Sequence, residues 1–135
     1  MRKIIAWILL CAVLPGLLAG CGIVNSVQII GGPSEIYTEA DQDAAFDVVI
    51  DYFRKEFSGC SLKQLSYIGD DKLDAYAEYA ERNDADEVIV LVSEFYVFPG
   101  GGDGSLNTNE TYKNWTWILV RNQGGDWRHV DHGYG

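Results

Sequence analysis

The chain has 135 residues, 20 acidic against 10 basic, for a formal net charge of −10 at pH 7. That length is one domain's worth. A surface this acidic speaks against nucleic acid as a partner and against flat adsorption on anionic lipid; its plain use is solubility.

The chain opens with Met1-Arg2-Lys3 and continues as an apolar run from Ile4 to Leu14, the form of an export signal. Pro15-Gly16 breaks the run, which is shorter than the roughly 20 apolar residues of a spanning helix. It closes on Leu18-Ala19-Gly20-Cys21. These four residues resemble the lipobox of bacterial lipoproteins, in which the cysteine receives a diacylglyceryl group and the signal is cut just before it. The resemblance covers the first 21 residues. It implies a signal peptide at 1–20, lipidation at Cys21 and an extracytoplasmic chain anchored to the cell membrane. Two acyl chains give stable anchoring where one gives only reversible binding. Gly22 stands where an aspartate would signal inner-membrane retention in that family. The resemblance therefore implies the outer membrane in a Gram-negative host and the outer leaflet in a single-membrane host.

Cleavage before Cys21 leaves 115 residues, with 8 basic and 20 acidic side chains. Cys11 departs with the signal and Cys21 carries the lipid, so Cys60 has no intrachain partner. Cys60 reads as a small buried residue, with a reactive thiol as the alternative.

Residues 21–34 read as a lipid-anchored tether, and 35–135 as a single small domain. Ile23, Val24, Val27, Ile29 and Ile30 make the tether apolar, and 27–30 could form an edge strand docked on the domain or the membrane. Thr38-Glu39-Ala40-Asp41 has the capping hydroxyl and following acid of a helix start. Phe46, Val49, Ile50, Phe53 and Phe57 then recur as one apolar stripe, predicting a helix to about residue 57. Gly59 ends it. A short strand is predicted at 62–68. A second helix over 69–82 would bury Leu73, Tyr76, Ala77 and Ala80. A strong strand follows at 88–98, and Pro99-Gly100-Gly101-Gly102-Asp103-Gly104 opens a loop lasting to about residue 113. Strands at 115–121 and 127–132 flank the hairpin signal Asn122-Gln123-Gly124-Gly125.

The fold class is α+β: two helices packed on a mainly antiparallel sheet of about four strands. Val88, Val90 and Val92 face one way on their strand, and Ile89 and Leu91 the other. Trp115, Trp117 and Leu119 likewise oppose Ile118 and Val120. A sheet with one wet side would alternate apolar with polar. One helical layer covers one face, so the tether, a loop, sheet curvature around a pocket or another chain must cover the second.

The helix-then-meander order ending in a Gly-Gly-x-Trp hairpin resembles the cone-shaped nuclear-transport-factor-2-like folds. Gly59-Cys60-Ser61-Leu62, with Ala77, Ala80 and Ala85-Asp86-Glu87-Val88-Ile89-Val90, is similar to the strand–helix–strand of small envelope lipoproteins, envelope-stress sensors among them. Those lack the long first helix. The overall likeness is to small lipoproteins of Clostridia-type bacteria, which implies no activity, and a fold alone does not supply one.

The glycine loop superficially resembles a phosphate cradle, but a strand follows it where a helix is needed. Asp103, Asn107, Asn109 and Glu110 could offer oxygens to calcium, without the spacing of a known loop. In His129-Val130-Asp131-His132, a regular strand puts His129 and Asp131 on one face and His132 on the other. Such a pair could orient a general base or be strand-end surface polarity. Two ligands are too few for zinc, so no metal site is assigned and no cofactor is implied. Trp115 and Trp117 read as core, or as the first lining of a pocket. The leading expectation is a non-enzymatic binding or interaction module that meets an envelope protein or a second copy through an apolar sheet face. The alternative is a small-ligand-binding or hydrolytic domain using Trp115, Trp117, His129 and Asp131.

Overall fold

The computed structural model describes residues 21–134; the signal expected at 1–20 lies outside the described residues. The elements are β1 (Gln28–Ile30), α1 (Glu39–Glu56), β2 (Cys60–Tyr67), a 3-10 helix (Asp70–Tyr76) running into α2 (Ala77–Arg82), β3 (Glu87–Val97), β4 (Glu110–Arg121) and β5 (Arg128–Tyr134). The five strands form one sheet in chain order. β1 is parallel to β2, and the other neighbours are antiparallel. The architecture is α+β, with β1 as a fifth strand at the edge.

α1 starts as its residues dictate. The Thr38 side chain accepts from the Asp41 amide at 3.1 Å, and the Asp41 carboxylate accepts from the Thr38 amide at 2.9 Å. Phe46, Val49 and Phe53 are buried, joined by Gln42 and Ala45, while Ile50 is half-buried. The second helix differs from expectation in its first half, which is a 3-10 helix. The Asp70 carboxylate, placed to cap it, is taken by the Ser34 hydroxyl at 2.6 Å, the Glu35 amide at 2.8 Å and the Tyr67 hydroxyl at 2.5 Å. Gly69 supplies no side-chain cap. Leu73 and Ala80 are buried, but Ala77, at the change of pitch, is exposed.

The helices take opposite faces of the sheet. Phe53 of α1 packs edge-on against Trp117, with ring centroids 6.5 Å apart. Tyr79 of α2 reaches Asp131, whose register partner is Ile118. Trp117 and Ile118 are consecutive, so they point to opposite faces. Val88, Val90, Ile118 and Val120 are buried beneath the second helical unit; Ile89, Leu91, Phe95 and Leu119 are buried on the α1 face. From Val88 to Leu91 the cover required by the two-sided strands comes from within the chain, while Val92, further along the same face, is half-buried.

The edge strand that 27–30 could form is present as β1, and two further stretches are built into the sheet. In the tether, the Ile23 amide donates to Cys60 O at 2.8 Å and the Leu62 amide to Ile23 O at 2.9 Å. β4 begins at Glu110, inside the stretch read as loop, because Lys113 and Asn114 form a bulge: Ser93 opposes Trp115 and Phe95 opposes Tyr112. Asn114 takes a φ of 59° there, a conformation asparagine tolerates better than most residues.

Arg121 ties the start of α1 to the sheet. Its guanidinium donates to Asp41 at 3.1 Å and to Glu87 at 3.0 Å, and lies 4.2 Å from the Trp127 ring centroid. Arg121 is buried and both carboxylates are about three-quarters covered. Removing one partner of a buried pair strands the others. Arg121→Met should therefore lower stability by about 2–4 kcal/mol in urea unfolding, against well under about 1 kcal/mol for the exposed Arg82→Met. Equal losses would show that the cluster is not a structural tie.

Candidate functional site

A cavity of about 340 Å³ opens on the α1 face where α1 stops, β2 begins and β5 ends. Tyr52, Glu56 and Phe57 form one wall. Cys60, Trp115, His132 and Gly133 lie on the sheet side, and Gly102, Asp103, Ser105 and Leu106 form the other wall.

The glycine loop is fastened in place. The Gly102 amide donates to Ser58 O at 2.8 Å, the Phe98 amide to Gly59 O at 3.0 Å and the Asn109 amide to Val97 O at 2.6 Å. Gly59 has a φ of 72°, and its Cα region abuts Gly101 so closely that a Cβ on either glycine would overlap the other's backbone. Two glycines are needed because the chains touch main chain to main chain. Two of the four residues considered for calcium use a side-chain oxygen elsewhere: Asp103 accepts from the Ser105 amide at 3.0 Å and the Ser105 hydroxyl at 2.5 Å, and Asn109 accepts from the Tyr96 hydroxyl. Among the described residues, no three of His, Cys, Asp and Glu gather to hold a metal ion.

The histidine cluster is arranged differently from the regular-strand expectation. Ile118 opposes Asp131 but Leu119 opposes His129, so Val130 is an extra residue in β5. The bulge puts His129 and His132 together on the α1 face and turns Asp131 to the other. There Asp131 accepts from the Tyr79 hydroxyl at 3.2 Å and from the His132 amide at 2.9 Å. His132 Nδ1 lies 3.1 Å from His129 Nε2, so one ring donates and the other accepts. Burial pushes both imidazoles below their ordinary 6.5, and His132 lowers His129 further.

The tryptophans separate. Trp117 is fully buried, and its Nε1 donates to Ser93 Oγ at 2.8 Å. It is core behind the site, as His129 stands behind His132. Trp127 donates to Asp41 O at 3.0 Å. Trp115 lines the cavity, and its buried Nε1 has no hydrogen-bond partner. Leaving such a donor unpaired costs about 1–3 kcal/mol. The Cys60 thiol is raised by burial, which opposes the thiolate needed for nucleophilic chemistry.

Tyr52 and Glu56 belong to this site and were not singled out from the sequence; His132 was expected on the face opposite His129. The signal for His132 is its spacing of three from His129, which a bulged strand brings to one face. A second hollow of about 540 Å³ lies at the other end of α1, beside Gly32 and Gln42. Its central amide is satisfied: Gln42 accepts from the Gly32 amide at 3.0 Å and donates to Gly32 O at 2.9 Å.

Two outcomes follow. Gly101→Ala should force the loop from Gly59, speed hydrogen exchange at the Gly102 amide and cost about 1–3 kcal/mol; unchanged exchange would show that the loop is not clamped. The histidines give a pH dependence of definite sign. Their native pKa values lie below the unfolded 6.5, so the native state binds fewer protons. Their stabilisation is full above 6.5 and is lost as pH falls through the native values. The unfolding temperature should drop between about pH 7.5 and about pH 5, and the His129→Gln, His132→Gln variant should flatten that drop. The lowered carboxylates Asp41, Asp70 and Asp103 act in the same direction, but below their ordinary 3.8.

No family model, curated protein or solved structure matches this chain.

Proposed function

We propose that this chain is a lipid-anchored binding module of the cell envelope, held at the membrane through Cys21, whose cavity at the end of α1 takes a small ligand. The observation that carries the binding reading is the cavity itself, walled by Tyr52, Phe57, Trp115 and His132. Its volume is near the lower end of the roughly 300–1,000 Å³ typical of ligand pockets.

Binding is favoured over hydrolysis because the thiol on the cavity wall, Cys60, is raised by its burial. It is favoured over docking through an apolar sheet face because Val88, Val90, Ile118 and Val120 are covered by the second helical unit. The anchoring half of the proposal rests on Leu18-Ala19-Gly20-Cys21 and the export-signal form before it.

The two halves separate experimentally. Cys21→Ser should move the protein from the membrane to the soluble fraction and remove the diacylglyceryl mass; unaltered mass and partitioning would sink the anchoring half. For the cavity, a screen of small fragments followed by ¹H–¹⁵N spectra should yield binders that move the Trp115 indole resonance and leave that of Trp127 in place. Hits that never perturb Trp115 would place binding elsewhere.

A further inference from the structure

The second helical unit covers its sheet face up to Leu91 and no further. Beyond it on the same face of β3, Val92, Glu94 and Tyr96 are half-buried and Phe98 is exposed. The register carries this bare half-face to the β1 edge. Ile30 pairs with Ser66, the partner of Val92, and Ile23 bridges to Ser61, the partner of Tyr96. Ile23 and Ile30 are each 41% exposed and Phe98 37%, its ring set edge-on to Tyr96 with centroids 5.0 Å apart. Three large apolar side chains therefore stand in the open at the end of the sheet where Cys21 enters.

The charge of this half-face is opposite to that of the molecule. Lys63 and Lys113 lie in the bulges of β2 and β4, on either side of Glu94. The residues flanking them, Leu62 and Leu65 in one strand and Tyr112 and Trp115 in the other, belong to the α1 face, so the lysines stand on the second. Both are exposed, and among the described residues neither lies within salt-bridge distance of a carboxylate. Glu94 is the one acid that the register places between them, which leaves one net positive charge here. The chain from Cys21 onward has 8 basic and 20 acidic residues, a net −12 (8 − 20).

The chain preceding the described residues says what covers this surface. It carries the apolar run from Ile4 to Leu14 and joins at Cys21, two residues from Ile23. Exposed isoleucine and phenylalanine flanked by lysines suit a headgroup layer, where apolar tips insert and ammonium groups meet phosphates. The net charge opposes adsorption of a free domain. Charges act over a Debye length of about 8 Å, so for a domain already held at the surface the nearest ones decide.

We propose that the half-face of Ile23, Ile30, Tyr96 and Phe98, flanked by Lys63 and Lys113, lies on an anionic bilayer. This rests on the anchoring half of the proposed function and specifies which surface meets the membrane.

The four lysines after Cys21 are built-in probes, all exposed: Lys63 and Lys113 on the half-face, Lys55 on α1 and Lys72 on the 3-10 helix. The full chain in vesicles of phosphatidylcholine and phosphatidylglycerol is briefly acetylated, and the rate at each lysine is read by mass spectrometry. The reference is Ile30→Asp with Phe98→Asp on the same vesicles, changes at exposed positions that the fold tolerates. Lys63 and Lys113 should react about tenfold more slowly in the unaltered protein, with Lys55 and Lys72 equal in the two. On phosphatidylcholine alone Lys63 and Lys113 should speed up by about fivefold. Failure of these two lysines to respond to the aspartates, or to the lipid charge, would overturn the inference, while a diacylglyceryl mass on Cys21 leaves the anchoring in place. Should Cys21 carry no lipid, the same comparison on the chain held to a nickel-chelating lipid by a hexahistidine tag placed before Cys21 tests the face apart from the anchor: slowed lysines would uphold the face, and unslowed ones would overturn both.

Discussion

β3 is buried on both faces from Val88 to Leu91, and the rest of the molecule is arranged around that fact. A central strand with water on either side would expose valines or isoleucines on every second residue. Both faces therefore need cover, and the chain supplies one helical unit to each. α1 comes before the strand in sequence, and the 3-10 helix and α2 lead directly into it. β3 is also the one strand whose long ladders are formed without an extra residue of its own. β2, β4 and β5 each carry one, at Lys63, at Lys113-Asn114 and at Val130.

Those bulges set what the α1 face displays. A regular strand shows residues two apart on one face, whereas a bulged one shows residues three apart. Leu62 and Leu65 are brought together under α1, Tyr112 and Trp115 further along, and His129 and His132 at the edge. The first pair is fully buried core. Of the other two pairs, Trp115 and His132 reach the cavity wall, while Tyr112 and His129 do not line it. Without the bulge at Val130, Asp131 would stand on the α1 face and His132 would face α2. The chemistry of the cavity would then be acidic at its base as well as at its rim.

This explains which parts of the molecule were legible in the sequence. Helix α1 was, down to its capping box, because Thr38 and Asp41 are local and the stripe has one period. The β3 strand was, because strict alternation survives where no bulge interrupts it. The start of β4 was not: Lys113 and Asn114 are the residues expected of a loop, and only the pairing of Tyr112 with Phe95 shows them to be an interruption within a strand. The His129/Asp131 pairing failed for the same reason, one residue later in the ladder. The Gly59–Gly101 contact lay out of reach, since it joins two glycines 42 positions apart and glycine carries no side-chain pattern. Trp115 was legible as a candidate but not distinguishable from Trp117; what separates them is Ser93, which gives one indole a partner and leaves the other without.

The two ends of the domain are held by different forces, and this bears on how it would sit at a membrane. Where α1 starts, Arg121 binds two carboxylates, Trp127 finds a carbonyl and Tyr37 donates to Val88 O at 2.7 Å, so that end is closed by satisfied polar groups. Where α1 stops, rings meet rings, and the closure leaves a cavity with an unpaired donor. The chain leaves Cys21 at this second end. The Gly22 amide donates to Arg54 O at 2.9 Å, and a side chain at position 22 would overlap the backbone of Phe53. With Gly22 packed on α1 and Ile23 bonded to β2, no free spacer separates residue 21 from the fold. A lipid on Cys21 would therefore hold the cavity end at the membrane surface and direct the Asp84, Asp86 and Asp126 end outward.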